Sequence, residues 1–269
     1  MSDRTEQACA HWAPDLMGKA NVVGVAGGDT EVLVFVTRKR PLAQLASRDV
    51  VPDEVDGVHT DVIEVGELTA MLGPGDSIGV DGLTGTAGGI VTDEHGNLFI
   101  LTNNHVAANS NRVLSGTPIV HPGPADGAGS QIGRLGRHEP LTFHQDNYLD
   151  AALVALDPGI VVAEDRLPRP TSTTARVGWA VHKHGRTSGL THGKVLARNG
   201  TFDVDFGSLG LVRFAGQIVT DKMLDPGDSG SVILSRNRYP VALGFAGSDT
   251  ISLHNPIALV LRTLAVRFI

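Results

Sequence analysis

From residue 76 onward, the apolar residues of this chain fall in short runs separated by glycine, proline, asparagine and aspartate. Such punctuation predicts strands and turns. Strands are expected at 85–91, 98–102, 151–155, 180–183, 193–197, 202–204, 218–221, 231–234 and 241–245. Residues 257–267 are apolar at helical spacing and predict a C-terminal helix. Residues 164–174, rich in proline, arginine and threonine, suit a linker between two sub-domains. Earlier in the chain the pattern differs. Residues 1–19 are polar and irregular, and a flexible terminus is expected there. Runs at 21–25 and 31–36 predict two strands around the turn Gly27-Gly28-Asp29. Pro41 opens a short helix at 41–45, and 60–65 gives a third strand. Residues 20–72 therefore read as a small α/β module. Gly73-Pro74-Gly75-Asp76 marks the start of a second domain, residues 73–269.

Composition sharpens this outline. The 269 residues suffice for one or two domains with a sizeable core. Thirty-three glycines and only 4% aromatic residues favour β structure with many turns. The net charge of −7 argues against nucleic acid or anionic membrane as a partner. The one dense basic run, Arg38-Lys39-Arg40, reads as a solvated strand end. Cys9 is the single cysteine, so no internal disulfide forms, which points to a reducing compartment or to a disulfide-free bacterial style. The start Met-Ser-Asp-Arg-Thr-Glu leads into no apolar signal region. No apolar stretch approaches the roughly 20 residues that span a bilayer. A cytoplasmic location is the expectation.

Three segments carry chemistry. In 99–108, an apolar strand ends in the polar step Asn103-Asn104 and then His105. A general base needs such a rigid edge, with one ring nitrogen held and the other facing a nucleophile. In 147–156, Asp150 opens an otherwise apolar strand. A buried carboxylate there needs hydrogen-bond donors, and a histidine N–H is suitable. Asp146 competes for the role but lacks the apolar run directly after it. In 225–234, Gly227-Asp228-Ser229-Gly230 precedes an apolar strand. A nucleophilic serine needs a tight turn beside converging N–H groups, here those of Gly227 and Ser229.

The order His105, Asp150, Ser229, with Gly-Asp-Ser-Gly around the serine, resembles the chymotrypsin-like (trypsin-like) serine proteases. Finer stretches are most like the cytoplasmic bacterial trypsin-like proteases and the narrow-leaf proteases of plants. These are Thr102-Asn103-Asn104-His105-Val106, then Pro118-Ile119-Val120 with its turn His121-Pro122-Gly123-Pro124 and Asp126-Gly127. Gly185-Arg186-Thr187-Ser188-Gly189-Leu190-Thr191, followed by Gly193-Lys194-Val195, is a third. The resemblance covers about residues 76–269. It implies two six-stranded antiparallel β-barrels, about 76–163 and 175–269, with the active site between them. It also implies peptide-bond hydrolysis with Ser229 as nucleophile, His105 as base and Asp150 orienting it. That chemistry needs no metal or organic cofactor, and its partner is a protein or peptide substrate. The 20–72 module is expected to regulate, recruit substrate or build a homo-oligomer.

The departures from the family carry information. No Ile-Val-Gly-Gly-type start precedes the barrels, so Asp228 needs a partner other than a freshly cut amine. Met223 stands where the family places the floor of the specificity pocket, and an apolar or small side chain is expected at the cleavage site. Phe245, Ala246 and Gly247, within 244–248, are expected along the pocket wall. His254 is a further candidate, because glutamate-specific relatives use a pocket histidine. The pair His182 and His184 has no evident third metal ligand and reads as strand histidines. The glycine-rich segments lack the ending of a phosphate loop, and Cys9 lies outside any reactive context. Two rival readings use the same residues: a latent or inactive protease-fold binding protein, and an esterase.

Overall fold

Thr5, Ala8, Trp12 and Leu16 recur every three or four positions, and Ser2–Met17 forms one α-helix, α1. This corrects the expectation of an irregular terminus. The apolar stripe is narrow and the helix is polar on average, so its periodicity was easily overlooked. The computed structural model describes residues 2–66 and 71–269. The chain divides into two compact units, residues 1–70 and 71–269.

In the first unit, α1 packs on the strands β1 (Val22–Gly27), β2 (Val32–Val36) and β4 (Val58–Glu64), and β3 (Glu54–Val55) pairs with β4. Their order is β1-β2-β4-β3, with the β2/β4 pair parallel and the others antiparallel. Ala8 and Leu16 share a core with Val32, Val34, Val55 and Val58. The helix expected at 41–45 is a single 3₁₀ turn, Leu42–Gln44, with no buried residue. Having no apolar face to bury, it gains nothing from a longer helix.

In the second unit the chain first forms β5 (Ser77–Val80), β6 (Leu83–Thr86), β7 (Gly89–Thr92) and β8 (Leu98–Thr102). A one-turn helix α2 (Asn104–Ala107) precedes β9 (Pro118–His121), β10 (Ser130–His138) and β11 (Ala152–Leu156). There follow β12 (Ala180–Gly185), β13 (Gly189–Asp205), β14 (Leu211–Asp221), β15 (Val232–Ser235), β16 (Pro240–Gly247) and β17 (Ile251–Pro256). The chain closes with α3 (Ile257–Thr263) and β18 (Arg267–Phe268). Strands β12-β13-β14-β17-β16-β15 close into a six-stranded barrel. The other strands form a barrel-like sheet, β18-β7-β8-β11-β10-β9-β5-β6. The fold is mostly β, with two barrel-like sheets and an N-terminal helix.

The first sheet has eight strands rather than the six expected. β18 adds one edge, and the run 85–91 splits into β6 and β7 at Ala87-Gly88. A Cβ on Gly88 would lie 2.0 Å from Gly230 O, so the backbones meet there too closely for a continuous strand. Conversely, 193–197 and 202–204 merge into the long β13, whose hairpin with β14 extends well beyond the barrel. Each sheet has its own core: Ile78, Ile100 and Val154 in the first, Val181, Val195 and Ile233 in the second. A further cluster joins Val91, Leu101 and Leu153 to Val232, Leu243, Val260 and Phe268. Burying each such side chain contributes about 1.5–3 kcal/mol relative to exposure. This shared cluster fixes the two sheets against each other and so sets the geometry of the cleft between them.

Candidate active site

His105 reaches the cleft because β8 is pinned just before it. Thr102 Oγ1 donates to Thr86 O at 2.8 Å, and Asn103 Nδ2 donates to Asp150 O at 2.6 Å. Asn104 Nδ2 donates to Asn111 Oδ1 and Glu139 O, both at 2.7 Å. Asn103 and Asn104 are fully buried, so the polar step is a brace and not a loose turn. Asp150 is fully buried two residues before β11. Its Oδ2 accepts from His105 Nδ1 at 2.5 Å and its Oδ1 from His105 N at 3.1 Å. These two bonds fix the ring, direct the proton to Nδ1 and leave Nε2 as the acceptor. Behind them, Asn255 Oδ1 accepts from Asp150 N at 2.9 Å, and Asn255 Nδ2 donates to Gln217 Oε1 at 2.8 Å. Asn255 and Gln217 are fully buried and were not anticipated. The available signal was a polar pair, His254-Asn255, inside an apolar strand. Asp146 is exposed and away from this network.

Ser229 lines the same cleft of about 570 Å³ as His105. Its hydroxyl donates to Phe245 O at 3.3 Å. The turn around it needs glycine, since Gly227 and Gly230 both have φ of 99°. The N–H groups of Asp228 and Gly230 are taken by Asp225 O and Gly244 O. Those of Gly227 and Ser229 have no acceptor among the described residues. The hairpin tip between β13 and β14 supplies an aromatic wall that the sequence did not announce. The Phe206 ring stands edge-on to His105 at 6.0 Å and stacks on Phe214, which in turn packs on Phe245 at 4.7 Å.

No protein-family model matches the sequence, and no curated protein matches it. Solved structures do match in fold. A Nocardiopsis protease, NAPase, aligns at a TM-score of 0.57 with 20% identity, over 74% of this chain and 99% of that one. Thermobifida fusca protease A aligns at 0.57 with 16% identity, over 74% and 99%. A serine protease described as glutamic acid specific, with a histidine triad in substrate binding, aligns at 0.55 with 20% identity, over 74% and 100%. The fold is that of the chymotrypsin-like proteases.

Within this chymotrypsin-like fold, Asp228 has the partner that the sequence left unnamed. Lys183 Nζ lies 2.9 Å from Asp228 Oδ2, and both side chains are fully buried. Lys183 also donates to Ser188 Oγ at 2.5 Å and Gly189 O at 3.1 Å. Thr187 N, Ser188 N, Asp225 N and Ser188 Oγ complete the donors to the carboxylate. Burial alone would raise the Asp228 carboxyl. The donors from Ser188, Asp225 and Lys183 outweigh it and hold the group below the usual carboxylate range. The signal for Lys183 was its position: β12 alternates inward at Val181, Lys183 and Gly185.

Two pocket expectations are corrected. Met223 does not line the cleft: it is buried in the core of the second barrel. Ser252 Oγ accepts from the N–H groups of Met223 and Leu224, both at 3.0 Å, and this bend turns Met223 inward. Leu224 and Lys222 line the cleft, together with Phe245, Ala246 and Gly247. His254 is fully buried and its Nε2 meets Thr220 Oγ1 at 2.8 Å. Burial pushes its pKa down to about 3, so the ring is neutral. His182 and His192 face each other across the β12/β13 pair at 6.0 Å. Among the described residues no cluster of histidine, cysteine or carboxylates suits a metal ion.

Proposed function

We propose that this protein is a serine endopeptidase in which Ser229 attacks the scissile carbonyl. The observation that carries this reading is the convergence of Ser229 and His105 in one cleft, with the histidine fixed by buried Asp150. In the first step, Ser229 Oγ leaves Phe245 O, passes its proton to His105 Nε2 and bonds to the substrate carbon. The carbonyl π electrons move to oxygen, and the N–H groups of Gly227 and Ser229 receive that oxyanion. Collapse breaks the C–N bond as His105 protonates the leaving amine. Water, deprotonated by His105, then releases the acyl group and restores Ser229. Asp150 stabilises the imidazolium at each stage.

The wall formed by Leu224, Phe245, Ala246 and Gly247 supports an apolar or small residue before the cleaved bond. The Leu224 methyls lie 3.0–3.1 Å from a Cβ placed on Gly244, so Leu224 packs closely on the β16 backbone beside that wall. Lys222 is paired with Asp225 at 2.9 Å. His254, neutral and sealed from the cleft, offers no cation to an acidic side chain. A latent state is the second reading, and one observation favours it: the Ser229 hydroxyl rests on Phe245 O.

Reaction with a fluorophosphonate, followed by peptide mapping, tests the assignment. Phosphorus gains a bond to Ser229 Oγ, fluoride leaves and the hydroxyl proton passes to His105. Labelling at Ser229, lost in Ser229→Ala, together with cleavage of a peptide library, is the expected result. Peptide turnover by Ser229→Ala at the wild-type rate would sink the assignment, since loss of a triad serine costs on the order of 10⁶ in kcat. Labelling that appears only after a peptide is added would establish latency.

A further inference from the structure

We propose that Thr187 is a positioning residue for the oxyanion site: its hydroxyl holds the Pro226–Gly227 peptide so that the Gly227 N–H faces the cleft. The proposal rests on the reading of Ser229 as nucleophile.

The Thr187 Oγ1 hydroxyl donates to Pro226 O at 2.8 Å. A peptide unit is planar and trans, so fixing its oxygen toward Thr187 directs its N–H the opposite way. Pro226 and Ser229 line the cleft, whereas Thr187 does not, and the opposite way is therefore the cleft side. The neighbouring carbonyls have other holders. Gly227 O accepts from Thr86 Oγ1 and Ser229 O from Thr86 N, both at 2.8 Å. The 226–227 peptide is different. Its N–H is kept free for the substrate, and proline brings no N–H of its own. Among the described residues, Thr187 is the one group that holds this peptide in orientation. Without it, a glycine at φ of 99° leaves little to prevent the peptide from turning over.

Thr187 is itself held on two sides. Its N–H donates to Asp228 Oδ1 at 2.9 Å, and Arg186 Nη1 donates to its Oγ1 at 3.2 Å. The second bond occupies a lone pair and leaves the hydroxyl proton for Pro226 O. Arg186 is anchored in turn by two bonds to Asp126, the Nε one at 2.7 Å. The segment Arg186-Thr187-Ser188 thus acts as a clamp on the turn that bears Ser229. Thr187 is exposed, so removing its hydroxyl opens no cavity in the core.

The test compares Thr187→Val and Thr187→Ser with the full-length wild type. Thr187→Val should be labelled by a fluorophosphonate about three- to tenfold more slowly, the weight of one neutral hydrogen bond. Outright loss of an oxyanion donor, roughly 10²–10³, sets the ceiling. KM for a peptide should hold while kcat falls by that factor, because the donor acts on the developing charge. Affinity for a peptide aldehyde, which forms a tetrahedral adduct, should fall in parallel. Thr187→Ser should restore both, and the denaturation midpoints should coincide. Labelling of Thr187→Val at the wild-type rate overturns the proposal, as does a loss confined to KM or one that serine fails to restore. A wild type that stays unlabelled at Ser229 even with peptide present overturns the nucleophile assignment, and this proposal with it.

Discussion

Replacing Lys183 by methionine isolates a fully buried ion pair of the second unit. Methionine approximates the aliphatic stem and removes the charge. Asp228 then keeps its place, 0% exposed, with no cation at 2.9 Å. Breaking one side of a buried pair costs roughly 3–5 kcal/mol. Four donors remain on the carboxylate, from Thr187, Ser188 and Asp225, which puts the expected loss near the low end, about 3 kcal/mol. For a unit of this size that lowers Tm by about 6–12 °C. Trp12 and Trp179 fall one in each unit, so a Trp12→Phe background makes fluorescence report on residues 71–269 alone. The double variant Lys183→Met with Asp228→Asn should lose less than the sum of the single changes, since neither then leaves a buried charge. The difference between wild type and Lys183→Met should also depend on pH. Asp228 titrates below its unfolded value of about 3.9, so its contribution is intact above that pH. It fades as pH falls through the lower folded value, and the two proteins should converge in acid. A Lys183→Met protein that melts within about 1 °C of wild type at pH 7 would refute the reasoning.

Two further outcomes are expected. Asp150→Asn should lower kcat by about 10⁴ through the wrong histidine tautomer, while Asp146→Asn, altering an exposed side chain, should leave labelling rates unchanged. His254, held at about 3 against 6.5 unfolded, lets the unfolded chain take up a proton that the folded chain refuses, so stability falls as pH drops from about 6.5 toward 3. The loss reaches about 2 kcal/mol at pH 5, and denaturant midpoints of His254→Gln should lack that component.

The residues of the proposed triad were legible because each sits where an apolar run meets a polar step, a pattern that local sequence carries. His105, Asp150 and Ser229 belong to that class. Lys183 does not: its burial is tolerable only through Asp228, 45 positions away, and no local rule pairs them. Asn255 and Gln217, which brace Asp150 from β17 and β14, were hidden for the same reason. Met223 and Leu224 are adjacent in an irregular segment, where no periodicity tells which side chain turns inward. Helix α1 was missed on different grounds, its stripe being thin against a polar average. Strands β5, β9, β10 and β17 escaped because they mix glycine, proline or buried polar residues with few apolar ones.

The pairing of β18 with β7 carries a consequence for assembly. Arg267 and Phe268 hydrogen-bond beside Thr92 and Val91, so the first sheet acquires its outer strand from the far end of the unit. Closing a loop of that span is entropically slow. Until it closes, β7 presents a bare strand edge next to the apolar surface that Phe268 will cover, a template for pairing with another chain. The same stitch, once made, ties the two sheets into one cooperative body: neither can open without releasing the other. A chain lacking its last few residues should therefore suffer first in yield, through misassembly, and only second in the chemistry of a cleft formed by residues that are all still present.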